Sequence, residues 1–175
     1  MPKLDLIRAD IVSHRADLVD LNVEYLTWVF EGIEDLFGLA AHQIVGVSVR
    51  DYVVSVIDKV CGDPPPRGVF YLARVDDQLA GMGGLRYLRP GVAEIKRIYC
   101  RPGFRGLKLG QRLLDQVLED ARSFGYDSVC LDTAQFMTAA HRLYESNGFS
   151  DCPAYEGVEV PPEFHSRWRF MGRAL

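Results

Sequence analysis

The stretch that most constrains this chain is Glu94-Ile-Lys-Arg-Ile-Tyr-Cys-Arg-Pro-Gly-Phe-Arg-Gly-Leu-Lys-Leu-Gly110. It reads as a strand that passes through a Gly- and Arg-rich turn into an amphipathic helix. The apolar stripe of that helix is Leu109, Leu113, Leu114, Val117, Leu118 and Ala121, the spacing of one core-facing side. The first turn of a helix carries backbone N–H groups without intrahelical partners and a partial positive charge, so such a corner can hold a diphosphate. Gly106 lets the chain approach a ligand closely, and Arg105, Lys108 and Arg112 add charge around it.

The rest of the sequence arranges itself around that corner as one α/β unit. Leu4, Leu6 and Ile7 predict a first strand, followed by a helical region carrying Leu18, Leu21, Val23, Tyr25, Leu26, Trp28 and Val29. A break near Asp35, Gly38 and Ala40–Ala41 precedes a second helix over Ile44–Val60, although its many valines also permit a strand. Gly62 to Arg67, with three consecutive prolines, is a loop. Val69–Val75 and Leu79–Leu88 form a hairpin about Asp76-Asp77, and Arg89-Pro90-Gly91 turns into the strand Val92–Cys100. Gly125 ends the amphipathic helix. Ser128–Asp132 is a strand, Thr138–Asn147 a helix stopped by Gly148, and Ser166–Leu175 a last strand. There is no repeat, low-complexity tract or linker, so residues 1–175 read as a single domain, long enough to bury roughly 70% of its unfolded surface.

Neither GxGxxG nor GxxxxGK[ST] is present. Arg105-Gly-Leu-Lys-Leu-Gly110 instead resembles the R-x-x-G-x-G/A acyl-CoA pyrophosphate loop of the GNAT superfamily of N-acetyltransferases. Leu131-Asp-Thr133, Ala140-His-Arg-Leu-Tyr144 and Asn147-Gly-Phe149 follow in the family's order. The resemblance implies an α/β (α+β) GNAT fold: a central mixed, mostly antiparallel sheet flanked by helices, with splayed central strands. It also implies acetyl-CoA as cosubstrate, with Ile98, Tyr99 and Cys100 pairing their backbone with the pantetheine arm. Arg105, Gly106, Leu107, Lys108, Leu109, Gly110 and Gln111 would hold the pyrophosphate. Two positions depart from the pattern. Lys108 stands where the family often has glycine, and as a first-turn helical residue it is expected to keep ordinary backbone angles with its N–H available. Met137 replaces a frequent asparagine, so that residue's hydrogen bond is not carried over.

An amine must be neutral to attack a thioester, yet an ordinary alkylammonium leaves on the order of one molecule in a thousand neutral at pH 7. Glu94 matches a strand carboxylate that some family members use as a base, directly or through water. It also reads as an ion-paired glutamate beside Lys96 and Arg97. Tyr144 matches the family tyrosine placed to protonate or hydrogen-bond the departing sulfur, beside the reading of a residue that packs with Leu143. Tyr25, Trp28, Tyr155 and Trp168 stand either in the core or around the acceptor. The resemblance thus implies direct transfer in a ternary complex to a primary amine of a small molecule or peptide. The alternative is a non-catalytic acyl-CoA sensor or interaction module, and a homodimer is compatible with family habit.

The charges narrow this further. Lysine plus arginine number 20 against 24 acidic residues, a balance that argues against a nucleic-acid or anionic-membrane partner. Between Glu94 and Arg112, however, lie Lys96, Arg97, Arg101, Arg105, Lys108 and Arg112 with Glu94 as the one anion. This segment is expected to face the CoA phosphates. The four dispersed cysteines form no metal-ligand spacing, so they read as reduced and no metal is expected. With no signal-peptide h-region and no apolar run long enough to span a bilayer, the expected location is cytoplasmic.

Overall fold

In the computed structural model, which describes residues 1–175, seven strands join into one sheet in the order β1-β2-β3-β4-β5-β7-β6. These are β1 Leu4–Arg8, β2 Val69–Val75, β3 Gln78–Arg89, β4 Val92–Cys100, β5 Ser128–Ala134, β6 Ser150–Asp151 and β7 Trp168–Ala174. Every neighbouring pair is antiparallel except β4 and β5. The helices are α1 Arg15–Phe37, α2 Ala41–Val45, α3 Val49–Cys61, α4 Leu109–Ser123 and α5 Thr138–Ser146. The β2–β3 hairpin turns on Asp76 and Asp77, both at positive φ, the geometry that matches a two-residue loop to strand twist.

Two apolar layers sandwich the sheet. On one face, Leu18, Leu21, Val53 and Ile57 of α1 and α3 pack on Leu72 and Met82. On the other, Leu113, Leu114, Val117 and Ala121 of α4 pack on Ala93, Ile95, Val129 and Leu131. Alternation therefore sends Cys130 and Asp132 of β5, and Glu94 and Lys96 of β4, toward the α1 and α3 face. At Arg97 the strand is irregular: φ is +56°, and the β3 register shifts between Met82 and Gly84. This bulge sets Arg97 on the same face as Lys96, because an extra residue interrupts the period of two.

Three sequence expectations change here. The helix expected over Ile44–Val60 is two helices. Gly46, left-handed at φ 74°, closes α2, and the Ser48 side chain accepts from the Asp51 N–H to open α3. A 3-10 turn over Pro162–Arg167 shortens the last strand to Trp168–Ala174. Lys108 is not in the first turn of α4: it is the residue before the helix, at φ 57° and ψ 25°, so the site calls for the left-handed geometry that favours glycine. All four cysteines are free. No helix is long and apolar enough to cross a membrane, and no group of His, Cys, Asp and Glu is arranged to hold a metal.

Candidate active site

β4 and β5 pair only through Val92–Ser128, Ala93–Val129 and Glu94–Cys130. Beyond Glu94 they diverge, which leaves the β5-facing backbone groups of β4 without a strand partner. A cavity of about 480 Å³ opens along this gap, lined by Ile98, Tyr99 and Cys100, by Arg105, Gly106, Lys108, Leu109 and Gly110, and by Phe136 to Ala140 at the start of α5. It gathers most of the residues expected at the cofactor. Leu107 and Gln111 do not line it: Leu107 points to solvent, and the Gln111 amide bonds Asp115 and Asn147. Trp28, expected at the acceptor, lies on this cavity instead. The Cys100 thiol is pushed up to about 11 by burial, against the pull of Arg105, so it is protonated and a poor nucleophile.

Of the six cations from Lys96 to Arg112, only Arg105 and Lys108 line this cavity, which corrects the expectation that the whole segment faces phosphates. Arg101 is forked onto Glu24 at 2.6 and 3.0 Å. Arg112 lines a separate depression with Leu4 and Asp5. Lys96 and Arg97 are buried on the other side of the strand.

There a second cavity, of about 320 Å³, lies between α1, α2 and the segment before β7. Its walls are Leu26, Val29, Phe30, Ile33, Ile44, Val45 and Phe164, and its floor is ionic: Lys96, Arg97, Asp132 and Glu159. Arg97 donates to Glu159 Oε1 at 2.7 Å and to Asn22, Tyr52 donates to the same Oε1 at 2.8 Å, and Lys96 Nζ lies 3.1 Å from Glu159 Oε2. Burial pushes the Glu159 carboxyl up, but Arg97, Lys96 and these hydrogen bonds outweigh it and hold it well below the carboxylate range. Asp132 goes the other way: burial raises it, and Lys96 offsets only part of that. Trp168 Nε1 donates to Asp132 Oδ1 at 2.8 Å, while Lys96 Nζ is 3.9 Å from Oδ2.

The two cavities adjoin at an aromatic cluster. Tyr25 of the second stands edge-on to Trp28 and Tyr99 of the first, with ring centroids 6.3 and 5.8 Å away. Tyr144 is buried on α5 against Phe149. Burial raises its hydroxyl above the ordinary tyrosine value, with smaller contributions from Tyr25, Asp132 and Cys100.

Glu94 lines neither cavity. It is wholly buried; Arg86 Nε donates to its Oε1 at 2.7 Å, Tyr155 OH to its Oε2 at 2.8 Å, and Lys96 Nζ lies 3.5 Å from Oε1. Tyr155 therefore faces Glu94 rather than the second cavity, while Tyr25 and Trp168 do line that cavity. No motif in the sequence marks a role for Asp132 or Glu159, the two carboxylates of the second cavity. The available signal was a carboxylate set in apolar strand-like surroundings, Val-Cys-Leu-Asp132 and Val-Glu159-Val, because a buried charge demands a partner or a task.

A model of the acetyltransferase (GNAT) family matches residues 33–149. An uncharacterised N-acetyltransferase of Schizosaccharomyces pombe is 36% identical over 106 residues, 59% of this chain and 64% of that protein. Mouse N-acetylaspartate synthetase is 33% identical over 98 residues, 55% of this chain and 33% of its own. The chain thus spans only part of the length of these curated relatives. Among solved structures, a GNAT-family acetyltransferase from Staphylococcus aureus Mu50 superposes with a TM-score of 0.71 at 21% identity, covering 99% of both chains. The PaiA N-acetyltransferase of Thermoplasma acidophilum, in complex with coenzyme A, gives 0.68 at 17% identity, again over 99% of both. The fold is theirs.

Proposed function

The chain belongs to the GNAT family of acetyltransferases, and from that premise we propose that residues 1–175 act as one domain that transfers an acetyl group from acetyl-CoA to a primary amine of a small molecule or peptide, by direct attack in a ternary complex. The observation that carries this reading is the meeting of two cavities where β4 and β5 part, one beside unpaired strand backbone and a cationic turn, the other with an ionisable floor. A sensor of acyl-CoA needs only the first, so the second favours the enzyme. Four free cysteines suit the reducing cytoplasm.

The residues present suit an acyl-CoA. The open edge of β4 at Ile98 to Cys100 offers main-chain groups to the amides of a pantetheine arm. Arg105, Lys108 and the free N–H groups at the start of α4 offer positive charge to a diphosphate; Leu107 and Gln111 contribute through main chain alone. When bound, acetyl-CoA supplies the acyl group as an activated thioester. Tyr144, kept protonated by burial, gives its proton to the departing sulfur. Glu94, with both oxygens occupied by Arg86 and Tyr155, acts as a positioning residue that ties the 155–159 segment to the sheet. Calorimetric titration with acetyl-CoA, followed by thiol release over an amine panel, tests the proposal. Micromolar binding with amine-dependent thiol release is expected; no binding at millimolar ligand overturns it, and binding without turnover on any amine selects the sensor.

A further inference from the structure

The floor of the second cavity specifies what kind of amine it takes. A substrate carboxylate needs a free cation, and none is available: Lys96 is held by Glu159 at 3.1 Å and Glu94 at 3.5 Å, and Arg97 by Glu159 and Asn22. A substrate ammonium needs a carboxylate oxygen with spare capacity. Both oxygens of Glu159 and both of Glu94 have close donors. Asp132 Oδ2 has only Lys96, at 3.9 Å, which is beyond hydrogen-bond range. The Asp132 side chain is 15% exposed, and it lines the cavity. It stands where β4 and β5 have parted: two residues past their last pair, on the face of the sheet that Lys96 shares. Above that floor the walls are mostly apolar, from Leu26, Val29 and Phe30 to Phe164; they carry no charge, and of their polar groups the Tyr52 hydroxyl and the Trp168 indole N–H are spent on Glu159 and Asp132, with the Tyr25 hydroxyl beside them, and about 320 Å³ is room for a small ligand.

We infer that this cavity takes a primary amine on an uncharged apolar body, arylalkyl or branched alkyl, and that Asp132 Oδ2 receives the ammonium and removes its proton. The inference rests on the acetyl-transfer reading and deepens it. The ammonium loses one proton to Asp132. The neutral nitrogen forms a C–N bond to the acyl carbon as the C–S bond breaks. Tyr144 protonates sulfur, the second nitrogen proton replaces the one Tyr144 gave, and Asp132 releases its proton to solvent. The sum is ammonium plus thioester to amide, free thiol and one proton. Trp168 fixes the other carboxylate oxygen and so aims Oδ2 into the cavity.

The test pairs turnover with binding that needs no acetyl-CoA. In a Trp28→Phe background Trp168 is the one indole left of the two, and its fluorescence reports events at Asp132. Titration with 2-phenylethylamine or isoamylamine is expected to change it saturably, and phenylalanine or aspartate at equal concentration to change it little. With acetyl-CoA, kcat/KM for 2-phenylethylamine is expected to exceed that for phenylalanine at least tenfold. Asp132→Asn is expected to lower kcat/KM about 10²- to 10⁴-fold with a melting temperature no lower than wild type. Three results overturn the inference while leaving acetyl transfer in place: faster turnover of aspartate than of the apolar amines, an Asp132→Asn variant within threefold of wild type, or no Trp168 response to an amine that is turned over. A chain that binds no acetyl-CoA removes the acetyl-transfer reading instead, and a saturable Trp168 response to the apolar amines would still support the cavity assignment.

Discussion

Single residues divide here into those whose type announced a role and those whose role depended on a distant partner. Tyr144 is of a type that suits the proposed acid, although it lines neither cavity, and its hydroxyl can be isolated because phenylalanine keeps the packing on Phe149. Tyr144→Phe is expected to lower kcat about 10- to 100-fold with the KM for acetyl-CoA unchanged, which steady-state thiol release will show. Because burial holds the hydroxyl above its ordinary value of about 10, the proton it donates is present throughout the neutral range. Lys108 is the opposite case. The sequence suggested an ordinary helical residue, whereas the chain needs φ 57° there to bring the Arg-Gly turn into α4. A side chain in that region carries strain on the order of 1 kcal/mol, and Lys108 brings its charge to the cavity proposed for acetyl-CoA. Lys108→Gly should therefore raise the melting temperature by about 1–3 °C and weaken acetyl-CoA binding several-fold. Thermal unfolding and calorimetry on one sample read both signs, and a fall in both would mean that the strain is absent. Glu94 lies between these cases: its type fits a base, and its partners are Arg86, across the β3–β4 register, and Tyr155, 61 residues along the chain.

At the scale of elements, periodicity located the strands and helices, and local interruptions escaped it. The valine-rich run after Ile44 has a continuous apolar character, so nothing in its period marks the stop at Gly46; the Ser48-x-x-Asp51 cap does. The bulge at Arg97 was equally silent, because a one-residue insertion shows only in the register with β3. Its effect is large, since it turns two consecutive cations onto one face and so builds the ionic floor. That floor also holds the segment before the last strand, which joins the sheet through Tyr155 to Glu94, Gly157 O to Arg86 and Glu159 to Lys96 and Arg97. Arg86→Ala removes the donor from a fully buried carboxylate and from a carbonyl together. It is expected to cost about 3–5 kcal/mol of stability in urea unfolding and to raise the KM for amine more than that for acetyl-CoA. Arg86→Met combined with Glu94→Leu should recover much of the stability, because no buried charge is then left unpaired. If the double variant also keeps Tyr144-dependent turnover, the role of Glu94 is to hold this segment.

For the whole molecule, the mixed sheet with splayed central strands was legible from the order of its motifs, and the distribution of charge was not. Counting residues grouped six cations into one basic segment, but Arg101 meets Glu24 across 77 positions and Arg97 meets Glu159 across 62. Only the fold brings such pairs together, and it turns four of the six away from the cavity along β4. The same pairs set how stability depends on pH. The folded Glu159 carboxyl is held below its unfolded value of about 4.3, so its contribution is complete above that pH and is lost as pH falls toward the folded value. Lys96 is buried, yet Glu159, Glu94 and Asp132 raise it above about 10.4; its contribution is complete below that pH and is lost as pH rises through the folded value. Asp132 is raised, so its contribution is complete below about 3.9 and is lost as pH rises through its folded value. Neutral pH thus carries the full benefit of Glu159 and Lys96, whereas the benefit of a protonated Asp132 declines above about 3.9. Urea unfolding from pH 3 to 8 separates them. Glu159→Gln should be destabilised by about 3 kcal/mol at pH 7, with the gap to wild type closing as pH falls below about 4. Asp132→Asn should equal or exceed wild type at pH 7 and converge on it in acid. A residue whose removal raises stability at working pH is kept by the chain for some other reason, and for Asp132 the reason proposed is a carboxylate that faces the amine.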